Sequence, residues 1–108
     1  MDQIPYAVKK IIRRYIDALN QNNFPIQKAI LYGSYATGRY HKHSDIDIAL
    51  VSESFDGVRF LDRNKIMKIT LNISKDIEPM PFSPQKFTTD DPFVKQIMKT
   101  GIHLTPPK

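Results

Sequence analysis

Residues 33–48 read GSYATGRYHKHSDIDI, and this stretch decides the fold. It begins with a Gly-Ser pair that follows a short apolar run, and it ends with two aspartates, Asp45 and Asp47, separated by one isoleucine. Side chains two positions apart in a β-strand point to the same side of the sheet. We therefore predict that Asp45 and Asp47 project together from the start of a strand, with Ile46 and Ile48 turned into the core.

The paired aspartates and the Gly-Ser turn together predict a site for a cation and for phosphate groups. Two carboxylates on one face repel each other, and Mg2+ prefers carboxylates together with phosphate oxygens. The turn at Gly33 and Ser34 offers backbone N–H groups and a hydroxyl where phosphates can lie. An isolated Asp-x-Asp is usually a solvated strand end, but beside this turn it indicates phosphoryl or nucleotidyl transfer.

The same residues resemble the nucleotidyltransferases of the DNA polymerase beta-like superfamily. The signature of that superfamily is a Gly-Ser pair, a loop, and then Asp-hydrophobic-Asp-hydrophobic, which residues 33–48 match in spacing. The Ser-Asp-Ile-Asp-Ile form, with Ala36 and Gly38 upstream, is most similar to the minimal nucleotidyltransferases, which are small stand-alone members. The resemblance covers most of the chain from Ala29 onward. Thr37, where many relatives carry Arg, is one departure from it.

A third carboxylate is expected on a strand beside Asp45 and Asp47. Asp76 and Glu78 are the candidates, and the period of two places both on one face. We favour Glu78, because residues 77–84 resemble the segment that carries the third acid of the family. The resemblance implies that the three acids hold two Mg2+ ions and that Glu78 accepts the proton of the attacking hydroxyl or completes the metal shell. The alternative is that Asp76 and Glu78 are both plain surface charges.

Four further residues are candidates for nucleotide binding. Gly33 and Ser34 form the predicted phosphate turn, and the Ser34 hydroxyl is expected to cap a short helix that begins there. Arg39 supplies positive charge near the position where Thr37 departs from the family. Ser44, just before the first acid, either bonds the phosphates or orients that acid, and a structural turn is an equal alternative.

The resemblance also implies a function. It indicates a metal-dependent transferase that moves AMP from ATP, or another nucleoside monophosphate from its triphosphate, to an acceptor. Minimal nucleotidyltransferases are typically paired with a small helical HEPN protein, a ribonuclease toxin, so we expect an antitoxin that adenylylates a tyrosine of this partner. Two alternatives stay open: a non-catalytic module that neutralises the HEPN partner by contact, and a transferase for a small molecule such as an aminoglycoside.

Length, composition and charge fit a single soluble domain over residues 1–108. The chain has 41% hydrophobic and 25% charged residues, which is ordinary for a globular protein. Its net charge of +5 favours anionic partners such as nucleotides or an acidic protein; nucleic acid is not expected as the main partner, and an oligomer stays open. No apolar run suits a membrane span or a signal peptide, so we expect a cytoplasmic protein. With no cysteine, disulfides and thiolate metal sites are excluded.

Hydrophobic periodicity predicts an α/β fold, a small mixed sheet with helices packed on it, in the order α-β-α-β-α-β-α. That order agrees with the polymerase beta-like nucleotidyltransferase fold that the resemblance implies. The prolines of residues 79–84 are expected to end regular pairing at the sheet margin. The predicted elements are helices over residues 4–19, 59–72 and 91–101, a short helix from residue 34, and strands over residues 29–32, 45–52 and 76–80.

Overall fold

The computed structural model describes residues 4–104, and it confirms the predicted fold class. Within these residues a four-stranded mixed sheet carries helices on both faces. None of the helices in this part of the chain is long and apolar enough to cross a membrane. The elements in chain order are α1 (Tyr6–Gln21), β1 (Lys28–Tyr32), α2 (Ser34–Thr37), β2 (Ile46–Val51), α3 (Arg59–Ile73), β3 (Ile77–Phe82), α4 (Pro92–Thr100) and β4 (Ile102–Leu104).

The strand order β3-β2-β1-β4 brings three strand ends to one edge of the sheet. β1 runs antiparallel to β2, and β2 runs parallel to β3. Consequently the end of β1 and the beginnings of β2 and β3 lie side by side. The Gly-Ser turn follows β1, and the candidate acids lie at the beginnings of β2 and β3, so the topology brings all of them to this edge.

The two faces of the sheet are covered by different helices. On one face Ile46 and Ile48 are buried in the larger core beneath α1 and α3, as predicted. On the other face Ile30 and Val51 pack with Val94 of α4 in a smaller core. Side chains along each strand thus alternate between two cores, and the odd-numbered residues of β2 share their face with α4.

The apolar stripe predicted for the first helix is confirmed and packs toward α3 and the sheet. A buried hydrogen bond of 2.7 Å joins the hydroxyls of Tyr15 on α1 and Thr70 on α3. Because the Thr70 hydroxyl donates to the Ile66 carbonyl at 2.8 Å, Tyr15 is the donor of this bond. Burial raises the pKa of Tyr15 to about 12, so its phenol keeps the proton that it donates. The buried residues of α1 are Val8, Ile12, Tyr15, Ile16 and Leu19.

The prolines of β3 do not end the strand, contrary to the prediction. β3 pairs with β2 as far as Phe82, which lies opposite Val51. The carbonyl oxygens of Asp76 and Phe82 accept backbone hydrogen bonds from the β2 side, at 2.8 and 3.1 Å. Even-numbered residues of β3 therefore direct their backbone groups toward β2. The odd-numbered Pro79 and Pro81 direct theirs toward the open edge, where the missing N–H costs no ladder bond.

A short strand after α4 completes the sheet and was not predicted. β4 pairs antiparallel with β1, and Ile102 lies opposite Leu31. Gly101 ends α4 as predicted, but with a φ of −79° instead of the left-handed conformation typical of such stops. A Cβ at Gly101 would lie 2.5 Å from Cγ2 of Ile30 and 2.6 Å from the Ile97 carbonyl oxygen. The glycine is required by the close approach of this turn to β1.

Candidate active site

Three side chains form a row across the sheet at the edge where the strand ends meet. Asp47 on β2 lies opposite Tyr32 on β1 and opposite Glu78 on β3. Directly paired residues project to the same face of a sheet, which here is the face covered by α4. Asp45 is exposed and lies one residue before β2. We call Asp45, Asp47 and Glu78 the acidic edge.

The acidic edge concentrates negative charge. Burial raises the pKa of the Asp47 carboxyl, and the carboxylates of Asp45 and Glu78 raise it further. Both groups therefore lie close enough to Asp47 to disfavour its charged form. Asp76, the alternative third acid, is exposed in the turn before β3 and does not contribute to this shift. Glu78 is thus the β3 acid that the structure brings to Asp47.

Gly33 joins β1 to α2 directly against the Asp47 side chain. Its φ of 74° lies in the left-handed region that favours glycine. A Cβ at this position would collide with Oδ2 of Asp47. The turn can pass beside the carboxylate only because residue 33 has no side chain, which is a physical reason for the first residue of the Gly-Ser pair. Gly38 ends α2 with a φ of 78°, also in the left-handed region.

Ser34 does not cap α2, and the prediction was wrong on this point. Gly33 has the non-helical backbone of the cap position, and Ser34 is the first residue of the helix. The Gly33 carbonyl accepts hydrogen bonds from the backbone N–H groups of Ala36 and Thr37, at 3.1 and 3.2 Å. Within residues 4–104 the Ser34 hydroxyl has no hydrogen-bond partner, so it is available to a ligand at the turn.

The other two predicted nucleotide-binding residues lie on the loop between α2 and β2. The Ser44 hydroxyl accepts a hydrogen bond from the backbone N–H of His41 at 2.8 Å, and the Ser44 N–H donates to the His41 carbonyl at 3.0 Å. Ser44 therefore closes a turn, which is one of the alternatives that the sequence left open. Arg39 is exposed, and its backbone N–H donates to the Ser34 carbonyl at 3.0 Å. That bond ties Arg39 to the Gly-Ser turn.

Arg63 of α3 reaches the acidic edge, and Arg59 lies on the same side of that helix; neither was predicted. Nη2 of Arg63 lies 3.2 Å from Oε1 of Glu78, in an ion pair between two half-exposed side chains. Arg59, one helical turn earlier, packs its guanidinium over the Phe82 ring, 5.3 Å from the ring centroid. A spacing of four places both arginines on one side of the helix. That spacing, just before the strand of the third acid, is the signal by which the sequence could have indicated them.

Tyr32 holds its proton beside Asp47. Burial raises the pKa of its phenol to about 12, with Asp47 adding to the shift and Arg59 opposing it. The ring packs edge-on against Phe93 at the start of α4, with centroids 5.7 Å apart. The ring packs against the smaller core, while the carboxylates of Asp47 and Glu78 raise the pKa of its phenol. It therefore supplies a neutral hydroxyl to the site at neutral pH.

The donor set of the acidic edge fits a hard cation such as Mg2+. All three groups are carboxylates, the ligands this ion prefers, and a cation would relieve the repulsion that raises the pKa of Asp47. Among residues 4–104, no three acid or imidazole side chains are already arranged around one cation position. Glu78 is not part of such an arrangement because its carboxylate pairs with Arg63 instead. Asp45 and Asp47 would hold a first cation, and Glu78 would join after leaving Arg63.

Comparison with known families agrees with this geometry. The family model described as "Polymerase beta, Nucleotidyltransferase" matches residues 14–106. This chain belongs to that nucleotidyltransferase family. The family membership and the enzyme class implied by the sequence resemblance are thereby confirmed.

Individual proteins similar to this chain include relatives named for protein adenylylation and a toxin-antitoxin structure. Two relatives from Methanocaldococcus jannaschii are named as candidate protein adenylyltransferases. The first is 38% identical over 72 residues, which cover 65% of this chain and 72% of the relative. The second is 31% identical over 71 residues, which cover 65% and 81%. A crystal structure of a toxin-antitoxin with AMP-PNP is similar over 88% of this chain and 73% of that chain, with a TM-score of 0.61 and 25% identity.

Proposed function

We propose that this nucleotidyltransferase uses Mg2+ and ATP to transfer AMP to a tyrosine hydroxyl of a partner HEPN toxin. The observation that carries the proposal is the acidic edge, where Asp45, Asp47 and Glu78 meet beside the Gly33-Ser34 turn. It is supported by relatives named for protein adenylylation and by a similar structure that is a toxin-antitoxin with AMP-PNP. The cytoplasm is the compartment in which we expect the two proteins to meet.

We assign the triphosphate of ATP to the Gly-Ser turn. Backbone N–H groups and a hydroxyl at such a turn attract phosphate oxygens, and the missing side chain of Gly33 lets the turn lie directly beside Asp47. The exposed Arg39 side chain, whose backbone is tied to Ser34, can reach the phosphates from the loop. Ser44 contributes by shaping this loop, because its hydroxyl accepts the His41 N–H.

The acidic edge would carry out the transfer itself. Bound Mg2+ would neutralise phosphate charge there and polarise the α-phosphate. The tyrosine oxygen attacks the α-phosphorus, the bond from that phosphorus to the oxygen bridging to the β-phosphate breaks, and pyrophosphate leaves. The phenol proton passes to a carboxylate, which we assign to Glu78. Arg63 lies beside Glu78 and would stabilise the negative charge of the leaving pyrophosphate.

Label transfer tests this reaction. The chain is incubated with Mg2+, the product of the adjacent gene as the proposed toxin, and ATP labelled at either the α- or the γ-phosphate. We expect the α label, but not the γ label, to appear on the toxin, and EDTA to abolish it. Label from the γ-phosphate would indicate phosphorylation instead. No label from either position would reject nucleotide transfer.

Neutralisation of the toxin by contact alone is the second candidate function. The pairing of Glu78 with Arg63 favours it, since the acids among residues 4–104 are not already gathered around a cation. Growth after co-expression separates the two functions. Contact neutralisation should survive Asp47→Asn, whereas neutralisation by adenylylation should be lost with that carboxylate.

A further inference from the structure

Large apolar side chains on the surface are concentrated on α3. Seven large hydrophobic residues are exposed among residues 4–104, and four of them, Val58, Phe60, Leu61 and Leu71, lie on α3 or directly before it. Phe60 is 72% exposed and Leu71 is 59% exposed. Single exposed apolar residues are common on proteins, but a cluster of them indicates an interaction surface.

Two exposed apolar residues of α3, Phe60 and Leu71, form a stripe with the half-buried Met67. Phe60, Met67 and Leu71 are seven and four positions apart, so they lie along one side of a helix with 3.6 residues per turn. At 1.5 Å per residue the stripe is about 16 Å long. The buried residues Asp62 and Ile66 lie on the opposite side of α3. Ile66 packs in the core of the domain, whereas the stripe faces away from that core. We call Phe60, Met67 and Leu71 the outer stripe.

The outer stripe is bordered by positive charge. Arg59 and Arg63 follow one side of it, and Lys68 follows the other. Asp62, the one acid of α3, is fully buried and accepts the backbone N–H groups of Asp56 and Gly57, each at 2.8 Å. The exposed face of α3 thus offers apolar groups and cations without an acid. A second copy would bring like charges together, and a nucleic acid would leave the apolar groups uncovered.

We propose that the outer stripe is the docking surface for a partner protein that presents an apolar patch with an acidic margin. In naming this partner as the acceptor toxin, the inference rests on the proposed function. Arg63 connects the stripe to the active site, because it borders the stripe on α3 and its Nη2 lies 3.2 Å from Oε1 of Glu78. A protein seated on the stripe therefore lies next to the acidic edge and can offer a side chain to it.

Calorimetry of the toxin with catalytically disabled protein tests the docking surface. In an Asp47→Asn background, Phe60→Asp and Leu71→Asp should each weaken toxin binding at least tenfold, since a new acid would face the acidic margin. Tyr6→Asp is the matched control, because Tyr6 is 74% exposed but lies on α1. It should leave toxin affinity unchanged. ATP binding and the melting temperature should be the same in all three variants.

The possible outcomes separate this inference from the proposed function. A toxin that docks through the outer stripe but receives no AMP from wild-type protein would refute the transfer reaction and support the docking surface. Toxin affinity equal in Phe60→Asp and Tyr6→Asp, or no toxin binding by wild type, would overturn the docking surface. A dimer seen in sedimentation and abolished by Phe60→Asp would also overturn it. Phe60-dependent binding to phosphatidylglycerol vesicles would do the same.

Discussion

The two halves of β2 make opposite contributions to this protein. In its second half, residues 49–51, the strand is buried on both faces, and Leu50 exposes no surface. At its beginning Asp45 is exposed and Asp47 is half-buried, and their charges act on each other and on Glu78. One strand thus stabilises the fold at one end and concentrates repelling charge at the other.

The difference shows how a small domain can hold an acidic site. Burying a leucine or isoleucine side chain contributes about 1.5–3 kcal/mol, whereas water weakens the repulsion between half-exposed charges. The apolar half fixes the register of β2, and this register holds Asp47 between Tyr32 and Glu78. Changes in the apolar half should therefore alter stability, and changes in the acidic half should alter ligand binding and transfer.

Leu50→Ala should cause the largest loss of stability. Truncating a fully buried leucine costs about 2–5 kcal/mol in free energy of unfolding, and Leu50 has no exposed surface. Denaturant titration measures this loss. Leu71→Ala on α3 is the matched control and should change the free energy of unfolding by less than about 0.5 kcal/mol. Similar losses in free energy of unfolding for Leu50→Ala and Leu71→Ala would contradict the stabilising role of the apolar half of β2.

Gly33→Ala should weaken ATP binding beside the acidic half of β2. The added methyl group collides with the Asp47 carboxylate, and the φ of 74° strains any residue other than glycine. Strain of this kind costs about 1–3 kcal/mol, and the displaced turn should lose most of its ATP affinity in calorimetry. Gly38→Asn is the control, because asparagine tolerates the left-handed conformation that Gly38 adopts. Full ATP affinity in Gly33→Ala would contradict phosphate binding at this turn.

Arg63→Gln should tighten cation binding when no nucleotide is present. The substitution releases Glu78 from its ion pair and removes a positive charge beside the acidic edge. A half-exposed ion pair is worth about 0–1 kcal/mol, so the gain should not exceed about fivefold. Titration with Mn2+ followed by electron paramagnetic resonance measures it. Lys68→Gln removes the same charge elsewhere on α3 and should give a smaller change. Weaker Mn2+ binding in Arg63→Gln would refute competition for Glu78.

Asp47→Asn should slightly stabilise the cation-free protein, and only above acidic pH. The raised pKa of Asp47 means that its ionisation costs more in the folded than in the unfolded state. The variant should therefore melt at a higher temperature at pH 7. The gain should vanish below the ordinary pKa of aspartate, where both states are protonated. Asp90→Asn, in an exposed turn, is the control. A lower melting temperature for Asp47→Asn at pH 7 would contradict repulsion at the acidic edge.

Much of the fold was predictable because it follows from local periodicity. The stripe of α1 and the shared side of Asp45 and Asp47 repeat at the spacing of their own elements. β4 was not predictable, since three residues carry no period and the strand depends on pairing with β1. The tolerance of β3 for Pro79 and Pro81 likewise depends on which neighbour that strand has. Local sequence does not specify this.

The candidate site likewise contains residues that the local sequence indicates and residues that only tertiary packing brings to it. The acids and the Gly-Ser pair belong to a local pattern, so the sequence indicated them. Arg63 on a helix reads as a solvated charge until α3 is packed along β3 and brings it to Glu78. The capping prediction for Ser34 was wrong because Gly33 occupies the cap position, where the nearby Asp47 side chain leaves no room for a Cβ. Tertiary contacts determine both the position of Arg63 and the residue that caps α2.

The intact mass of the proposed HEPN toxin partner, after co-expression with either wild-type protein or Asp47→Asn, tests the central claim most directly. Losing a metal-binding carboxylate removes several kcal/mol of charge stabilisation, while the fold should remain. We predict that the toxin gains the mass of AMP with wild type and none with Asp47→Asn, although both proteins still bind it. A toxin that gains no nucleotide mass with wild type, while both versions rescue growth equally, would contradict the account.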